Sequence, residues 1–291
     1  MAIDSETDIM KPAPLTYYQP ETLAEVVEVL ATEGDAARIL AGGQSLMPLL
    51  NERRCRPKAL IDINMVTDSV STSHDEENLI AGPLVRQSEV LDNKSLLEVV
   101  PLLGLAIPLI GVPQTRNRGT LCGSIAYADP MAELPLALLV AGGQVTLASN
   151  EGTRQVEIDH FLDKAFAPNL TSTELVSAIH WPIATPNQSW GFAEYSAGST
   201  LASAAVRLTK YARGDEIRIG FSGTLDRPRV ITLHSEGEGI DTRYLAHQLQ
   251  MLTESMRFID DPEVPSTYRC SLAMNLAHKA IAQANTAREP Q

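Results

Sequence analysis

Two short stretches of this chain carry residue types that hold phosphates and hydroxyls without using charge. The first is Ala41-Gly42-Gly43-Gln44-Ser45-Leu46, set between an apolar run and a helical pattern. Paired glycines let a backbone approach a ligand closely and turn its N–H groups inward. Ser45 adds a hydroxyl, and the start of the next helix adds a positive dipole. Such a set suits a pyrophosphate and needs no lysine. It is neither a lysine-bearing P-loop nor a GxGxxG fingerprint, and a Gly-Gly turn alone is more often only a turn. The second stretch is Arg116-Asn117-Arg118-Gly119-Thr120-Leu121-Cys122-Gly123-Ser124, followed by Ala128-Asp129-Pro130. Its Gly, Thr and Ser content predicts a donor-rich irregular loop, with Asp129 suited to accept from sugar hydroxyls. Asp129-Pro130 also reads as the N-cap and first position of a helix, and both readings can hold together.

The chain repeats the first four letters at Ala141-Gly142-Gly143-Gln144. There they follow a helical pattern and precede a strand, so the glycines fall where a helix C-cap belongs. That copy is expected to be structural.

Other chemistry is sparse. Cys55, Cys122 and Cys270 stand far apart with no CxxC, and the six histidines form no HxxxH pair. A disulfide framework, an iron–sulfur cluster or a zinc site within this chain is therefore not expected. No nucleophile–base pair or convergent carboxylates stand out, so no catalytic residue is assigned. A net charge of −13 leaves no basic field to recruit nucleic acid or an anionic membrane, and 5% aromatics argues against stacking platforms. The N-terminal stretch is polar and acidic, and the apolar run near Leu134–Ala141 is too short to span a bilayer. A soluble, cytoplasmic protein is expected.

The elements that must position these residues follow from periodicity. Thr22 and Glu25 predict a capping box before a stripe of Leu23, Val26, Val27 and Leu30, closed by Gly34 as a left-handed cap. Strands are expected at Arg38–Ala41, Ala59–Ile63, Asn78–Gly82, Gln144–Ala148 and Leu175–Trp181. Helices are expected at Leu46–Asn51, from Ser88, across Leu96–Ile110 with breaks at Pro101 and Pro108, and at Leu134–Val140. Pro182–Asn187 reads as a linker. Beyond it, Trp190–Tyr195, Ala202–Tyr211 and Ile217–Leu225 predict an antiparallel sheet, with a turn at Arg213-Gly214-Asp215. Helices at Thr242–Ser255 and Tyr268–Ala287 close the chain, and its first dozen residues look irregular. The order predicts an α+β protein in two pieces rather than one doubly wound sheet.

The two glycine motifs and their spacing, within Ala41–Asn64 and Gln114–Pro135, resemble the FAD-binding medium subunit of the molybdenum hydroxylases. That group includes xanthine dehydrogenase, carbon-monoxide dehydrogenase and N-heterocycle hydroxylases. The similarity extends to Tyr17–Pro20, the Leu175–Pro182 strand and the strand-then-helix tail, and so covers most of the chain. It implies a two-lobed FAD-binding domain of the vanillyl-alcohol-oxidase type over residues 1–185, with lobes of about 1–65 and 66–185. A C-terminal α+β domain over 188–291 would follow, of the kind found in the CO-dehydrogenase flavoprotein.

By that resemblance Ala41, Gly42, Gly43, Gln44, Ser45 and Leu46, with Thr120, Cys122, Gly123 and Ser124, would hold the pyrophosphate and ribityl region of FAD. Asp129 would hold cofactor hydroxyls and Leu175 would lie near the flavin. The chain departs from the family pattern in having Cys122-Gly123 where two glycines are usual. It also lacks the basic pair common after the Phe-containing strand, so only Tyr195 of that segment is carried over toward the isoalloxazine. The cysteine insertion that gives some relatives a further iron–sulfur cluster is absent. The resemblance implies a complex. A large molybdopterin subunit would hydroxylate the substrate, a small subunit with [2Fe–2S] clusters would relay electrons, and this FAD would pass them to an external acceptor. An N-heteroaromatic substrate is the first expectation, then an aldehyde, a purine or CO. A stand-alone flavoenzyme of the same fold and a flavin-free scaffold are the alternatives.

Overall fold

The computed structural model describes residues 13–69, 71–197, 200–223, 227–235, 242–255 and 264–287. The first dozen residues, expected to be irregular, lie outside them, as does Leu225 at the end of one expected strand. The chain is mixed helix and sheet, as its sequence order predicts, with three sheets and three apolar cores among the described residues.

The first lobe holds β1 (Thr16–Tyr18), α1 (Leu23–Glu33), β2 (Ala37–Leu40), α2 (Leu46–Asn51) and β3 (Ala59–Asp62). Its strands form a parallel sheet in the order β1-β3-β2. Val26 and Leu30 of α1 bury against Ile61 and Ile63, with Leu23 and Val27 at the margin. Half of the expected capping box forms: Thr22 Oγ1 accepts from Glu25 N–H at 3.2 Å. The Glu25 carboxylate reaches one residue further back, to Glu21 N–H at 2.8 Å. Gly34 closes α1 at φ 51° but with ψ −128°, so it is not the left-handed cap expected; the chain turns there into a short 3-10 segment.

The second lobe follows with β4 (Thr72–His74), β5 (Asn78–Ala81), α3 (Gln87–Asp92), α4 (Lys94–Val99), α5 (Pro101–Ala106), α6 (Pro113–Arg118), α7 (Leu121–Tyr127) and α8 (Glu133–Ala141). Then come β6 (Gln144–Ser149), β7 (Gly152–Glu157), α9 (Ile158–Phe161) and β8 (Leu175–Pro182). Its five strands are antiparallel, in the order β4-β5-β8-β6-β7. Strands β1, β4 and β7 escape a sequence reading because each is short or largely exposed and shows no apolar alternation.

Residues 183–187 lead into a four-stranded meander: β9 (Gln188–Ser196), β10 (Thr200–Tyr211), β11 (Gly214–Ser222) and β12 (Arg229–His234). Tyr211 pairs with Gly214, so the hairpin turn is Ala212-Arg213, one residue earlier than expected. Helices α10 (Thr242–Ser255) and α11 (Ser266–Thr286) complete the chain. β10 is buried through Ala202–Val206 because helices cover both faces of its sheet. Helix α11 lies so close to one face that a Cβ on Gly191 would sit 1.9 Å from the Ala280 carbonyl oxygen. Helix α8 covers the other, over Gly220, where a Cβ would meet Val140 at 2.4 Å.

All nine residues of α8 are buried, which is the behaviour of a helix apolar on every side. Each of its large aliphatic side chains contributes roughly 1.5–3 kcal/mol by leaving water. Trp190 and Phe192 of the C-terminal sheet share its core, so α8 joins the second lobe to that sheet. Arg207 and Arg218 donate to the Ala141 and Leu139 carbonyls at its C-terminal end, complementing the helix dipole.

Candidate functional site

The two glycine motifs meet across the gap between the lobes. They line a single cleft of about 830 Å³, within the range of roughly 300–1,000 Å³ usual for cofactor sites. Ala41, Gly42, Gly43, Gln44, Ser45 and Leu46 form one side, and Thr120, Cys122, Gly123 and Ser124 the other, with Leu175 of β8 on the floor.

On the first side β2 ends at Leu40, Gly43 takes φ 74°, and α2 begins. Gly43 O accepts the first helical bond, from Met47 N–H at 2.9 Å. The N–H groups of Gly43, Gln44, Ser45 and Leu46 find no acceptor among the described residues. They are therefore donors offered at a helix N-terminus, a setting that favours an anion. Gly42 is required for a different reason: a Cβ there would lie 2.2 Å from the Arg118 carbonyl oxygen and 2.9 Å from Gly119 Cα. The two motifs touch backbone to backbone.

The second motif is not the irregular loop its composition suggests. Pro113 starts α6, and only Gly119 and Thr120 separate it from α7. Thr120 caps α7, its hydroxyl accepting from Gly123 N–H at 2.9 Å. Leu121, Cys122 and Ile125 face the core, and that burial overrides the poor helix propensity of Gly123. A Cβ on Gly123 would crowd the Thr120 hydroxyl at 2.7 Å. Most N–H donors of this segment are thus spent inside the chain; what it presents to the cleft is the start of α7.

Cys122 sends its thiol away from the cleft, toward the Gly82 and Ala81 carbonyls at 3.3 and 3.6 Å. Burial raises the thiol far above its ordinary range, so it is inert. Asp129 does not line the cleft. Its carboxylate accepts from Met131 N–H at 2.8 Å, and burial raises its pKa. Nor does it cap a helix: α8 starts at Glu133 with Ala132 as its N-cap, and Ala128, at φ 50°, ends α7. Tyr195 is exposed on β9, also outside the cleft lining.

The sequence reading missed a third wall. Phe166, Ala167, Pro168, Leu170 and Glu174 complete the cleft. Phe166 adopts φ 56°, uncommon for a bulky side chain, and donates its N–H to Ala128 O at 2.9 Å. Its ring meets Tyr127 edge to face with centroids 5.1 Å apart. Arg154 grips Glu174 with two bonds of 2.5 and 2.9 Å and, ahead of burial and Thr171, sets the Glu174 carboxyl, which lies at about 2. Gln87 also lines the cleft, and its buried Oε1 has no partner among the described residues. The one sequence sign of this wall is the apolar Phe166-Ala167-Pro168 within a polar stretch.

Behind the cleft lies a polar chain from both lobes. Asp62 accepts from Tyr17 Oη at 2.5 Å and from Asn64 N–H at 2.9 Å. Burial works against its charge, but these bonds and nearby Arg118 hold its carboxyl below the ordinary range. Asn64 Nδ2 donates to Ala41 O at 2.9 Å, and Arg86 donates to Asn64 Oδ1 at 2.6 Å and to Arg118 O at 2.5 Å.

Among the described residues no cluster could hold a metal, and no helix is long and apolar enough to cross a membrane. The open N–H groups at 43–46, the partnerless Gln87 oxygen and a cleft of about 830 Å³ with apolar and polar walls fit a dinucleotide such as FAD.

Comparison with known proteins places this geometry. A family described as the FAD binding domain in molybdopterin dehydrogenase matches residues 11–184. The chain is 36% identical to the 6-hydroxypseudooxynicotine dehydrogenase complex subunit alpha of Paenarthrobacter nicotinovorans, over 64% of this chain and 63% of that protein. The match thus spans under two thirds of that relative. With the nicotine 6-hydroxylase medium subunit of the same organism it is 28% identical, over 94% of this chain and 99% of the relative. A chain of quinoline 2-oxidoreductase from Pseudomonas putida 86 superposes with a TM-score of 0.86 at 29% identity, covering 96% of this chain and 99% of that one.

Proposed function

The chain belongs to the FAD-binding medium subunits of the molybdenum hydroxylases, and on that premise we propose that its flavin relays electrons from a partner's iron–sulfur clusters to an external acceptor. The observation that carries the cofactor assignment is the cleft in which both motifs converge, with unpaired N–H donors on one side and the start of a helix on the other. Bound FAD supplies a carrier that takes up and releases electrons. The chain's own part is to bind, orient and shield it.

In this reading the N–H groups of Gly43, Gln44, Ser45 and Leu46 face the pyrophosphate, while Gly42 lets the two motifs touch and Gly123 leaves room for the Thr120 cap. Thr120, Cys122 and Ser124 contribute the start of α7, Cys122 through its backbone alone. Leu175, with Tyr127 and Phe166, supplies apolar contact and excludes water. Asp129, which does not line the cleft, is left without a contact to the cofactor in this reading.

Chemistry on the organic substrate belongs to a partner. Glu174 is held ionised by Arg154 and the Cys122 thiol is buried, so neither is suited to act as an acid or base. A small iron–sulfur subunit and a large molybdopterin subunit are the proposed partners, in the cytoplasm. Relatives named for nicotine derivatives and quinoline support an N-heteroaromatic substrate.

The test is to reconstitute the purified chain with FAD. It should bind the flavin and accept electrons from a chemical reductant, yet turn over no organic substrate until a molybdenum-containing partner is added. Substrate oxidation by the isolated chain would make it a stand-alone flavoenzyme.

A further inference from the structure

The two sides of the cleft belong to different lobes, which share apolar packing where Ala148 and Leu175 of the second lobe join the first lobe's core. The tie between 41–46 and 118–124 themselves is separate from that packing. Among the described residues no backbone hydrogen bond joins 41–46 to 118–124. The polar connection runs instead through two side chains. Asn64 stands at the end of β3 in the first lobe, pinned by Asp62 through bonds of 2.9 Å to its N–H and 2.5 Å to its amide. Arg86 belongs to the second lobe, in a backbone bridge with Thr120, and its flanks are tied down by Gln87 N–H to Gly119 O at 3.0 Å and Leu121 N–H to Val85 O at 3.0 Å. From those fixed points Asn64 holds Ala41 O, Arg86 holds Arg118 O, and the two hold each other at 2.6 Å.

We infer that Asn64 and Arg86 are positioning residues that set the width of the FAD cleft by clamping Ala41 O to Arg118 O across the lobe boundary. The inference rests on the FAD reading of the cleft. The guanidinium suits this task because its rigid fork reaches two acceptors at once, which one ammonium cannot do in the same geometry. Both acceptors sit beside the Gly42 contact, where there is no room even for a Cβ. With the clamp cut, the lobes sample wider gaps. FAD must then close them itself, and affinity falls by the fraction of time the cleft is competent.

The full-length chain tests this through FAD affinity and the thermal midpoint of the flavin-free protein. Arg86→Met and Asn64→Ala are each expected to weaken FAD by about tenfold or more, with Arg86→Lys between them and wild type. The double variant should bind no more weakly than the weaker single, since both changes break one chain of bonds. Losses of affinity that add, or a folded Arg86→Met binding FAD within about twofold of wild type, would overturn the inference. So would a lowered midpoint with unchanged affinity, the mark of a merely structural bond. If Arg86→Met does not fold, Arg86→Lys and Asn64→Ser carry the same comparison. A wild-type chain that binds no FAD overturns the cofactor reading along with this one; normal wild-type binding with unaffected variants overturns this one alone.

Discussion

Ala-Gly-Gly-Gln occurs twice in this chain, and the two copies do opposite things with the same backbone groups. At 41–44 the letters follow a strand and lead into α2, and the N–H groups after Gly42, beside the cleft, have no acceptor among the described residues. At 141–144 they follow α8 and lead into β6. Gly142 takes φ 80°, its N–H returns to Leu138 and Leu139 O, and Gly143 N–H also bonds Leu138 O. Both glycine donors there are consumed in closing the helix. The direction of the neighbouring helix, rather than the glycines, decides whether the motif offers donors or spends them.

The sharpest way to break this contrast is to put a side chain on the glycine of each copy that faces the tightest contact. Gly42→Val drives a Cβ against the Arg118 backbone, and flavin retention should be lost entirely. Gly143→Val meets Leu138 Cδ1 at 2.3 Å and His180 O at 2.5 Å. It should lower stability by about 1–3 kcal/mol while the folded fraction keeps its flavin. Flavin absorbance per folded chain separates the two. Equal flavin loss from two equally folded variants would erase the distinction.

A gentler pair uses the left-handed positions. Gly43→Ala and Gly142→Ala should each cost about 1–2 kcal/mol, because both hold positive φ. Titration with FAD should show weakening of about tenfold at position 43 alone, where Cβ would also press on Met47 and Leu40 at 3.1 and 3.2 Å.

The helix that the second copy closes carries its own test at the other end. Burial, and then facing Glu194 and Asp129, raise the Glu133 carboxyl to about 8. The neutral form is the one the fold favours. Its stabilisation is complete below the ordinary value of 4.5 and is lost as pH climbs toward about 8. Thermal midpoints should therefore fall across that window in wild type and fall less in Glu133→Gln, a difference of up to roughly several kcal/mol. Parallel profiles would mean that Glu133 is already ionised in the fold.

The smallest effect is expected beside the first copy. Cys122→Ala should leave FAD affinity within about twofold and cost about 1 kcal/mol of stability, since the thiol faces the Ala81 and Gly82 carbonyls. Thiol labelling of wild type should be slow with or without FAD; fast labelling that FAD blocks would place the thiol in the cleft.

Much of this was legible without a structure, and the failures are instructive. The apolar stripe of α1, the strands at 37–40 and 59–62, and the role of Gly142 as a helix cap follow from local periodicity and the order of neighbouring elements. The helical character of 113–127 was obscured by its glycines, although Pro113 and Thr120 are themselves helix-start residues.

The sequence by itself determined the family, because the letters, order and spacing of its two glycine motifs carry that family's pattern; the structure brings both motifs to one cleft. Only the tertiary structure decided that Gly42 must be bare, that Asp129 does not line the cleft, that Phe166 and Gln87 do, and that Asn64 and Arg86 join its sides. Those are facts about residues distant in sequence pressed to within a bond length or two of each other. Periodicity reports which face of an element is buried, but not which distant backbone atom that burial brings against it.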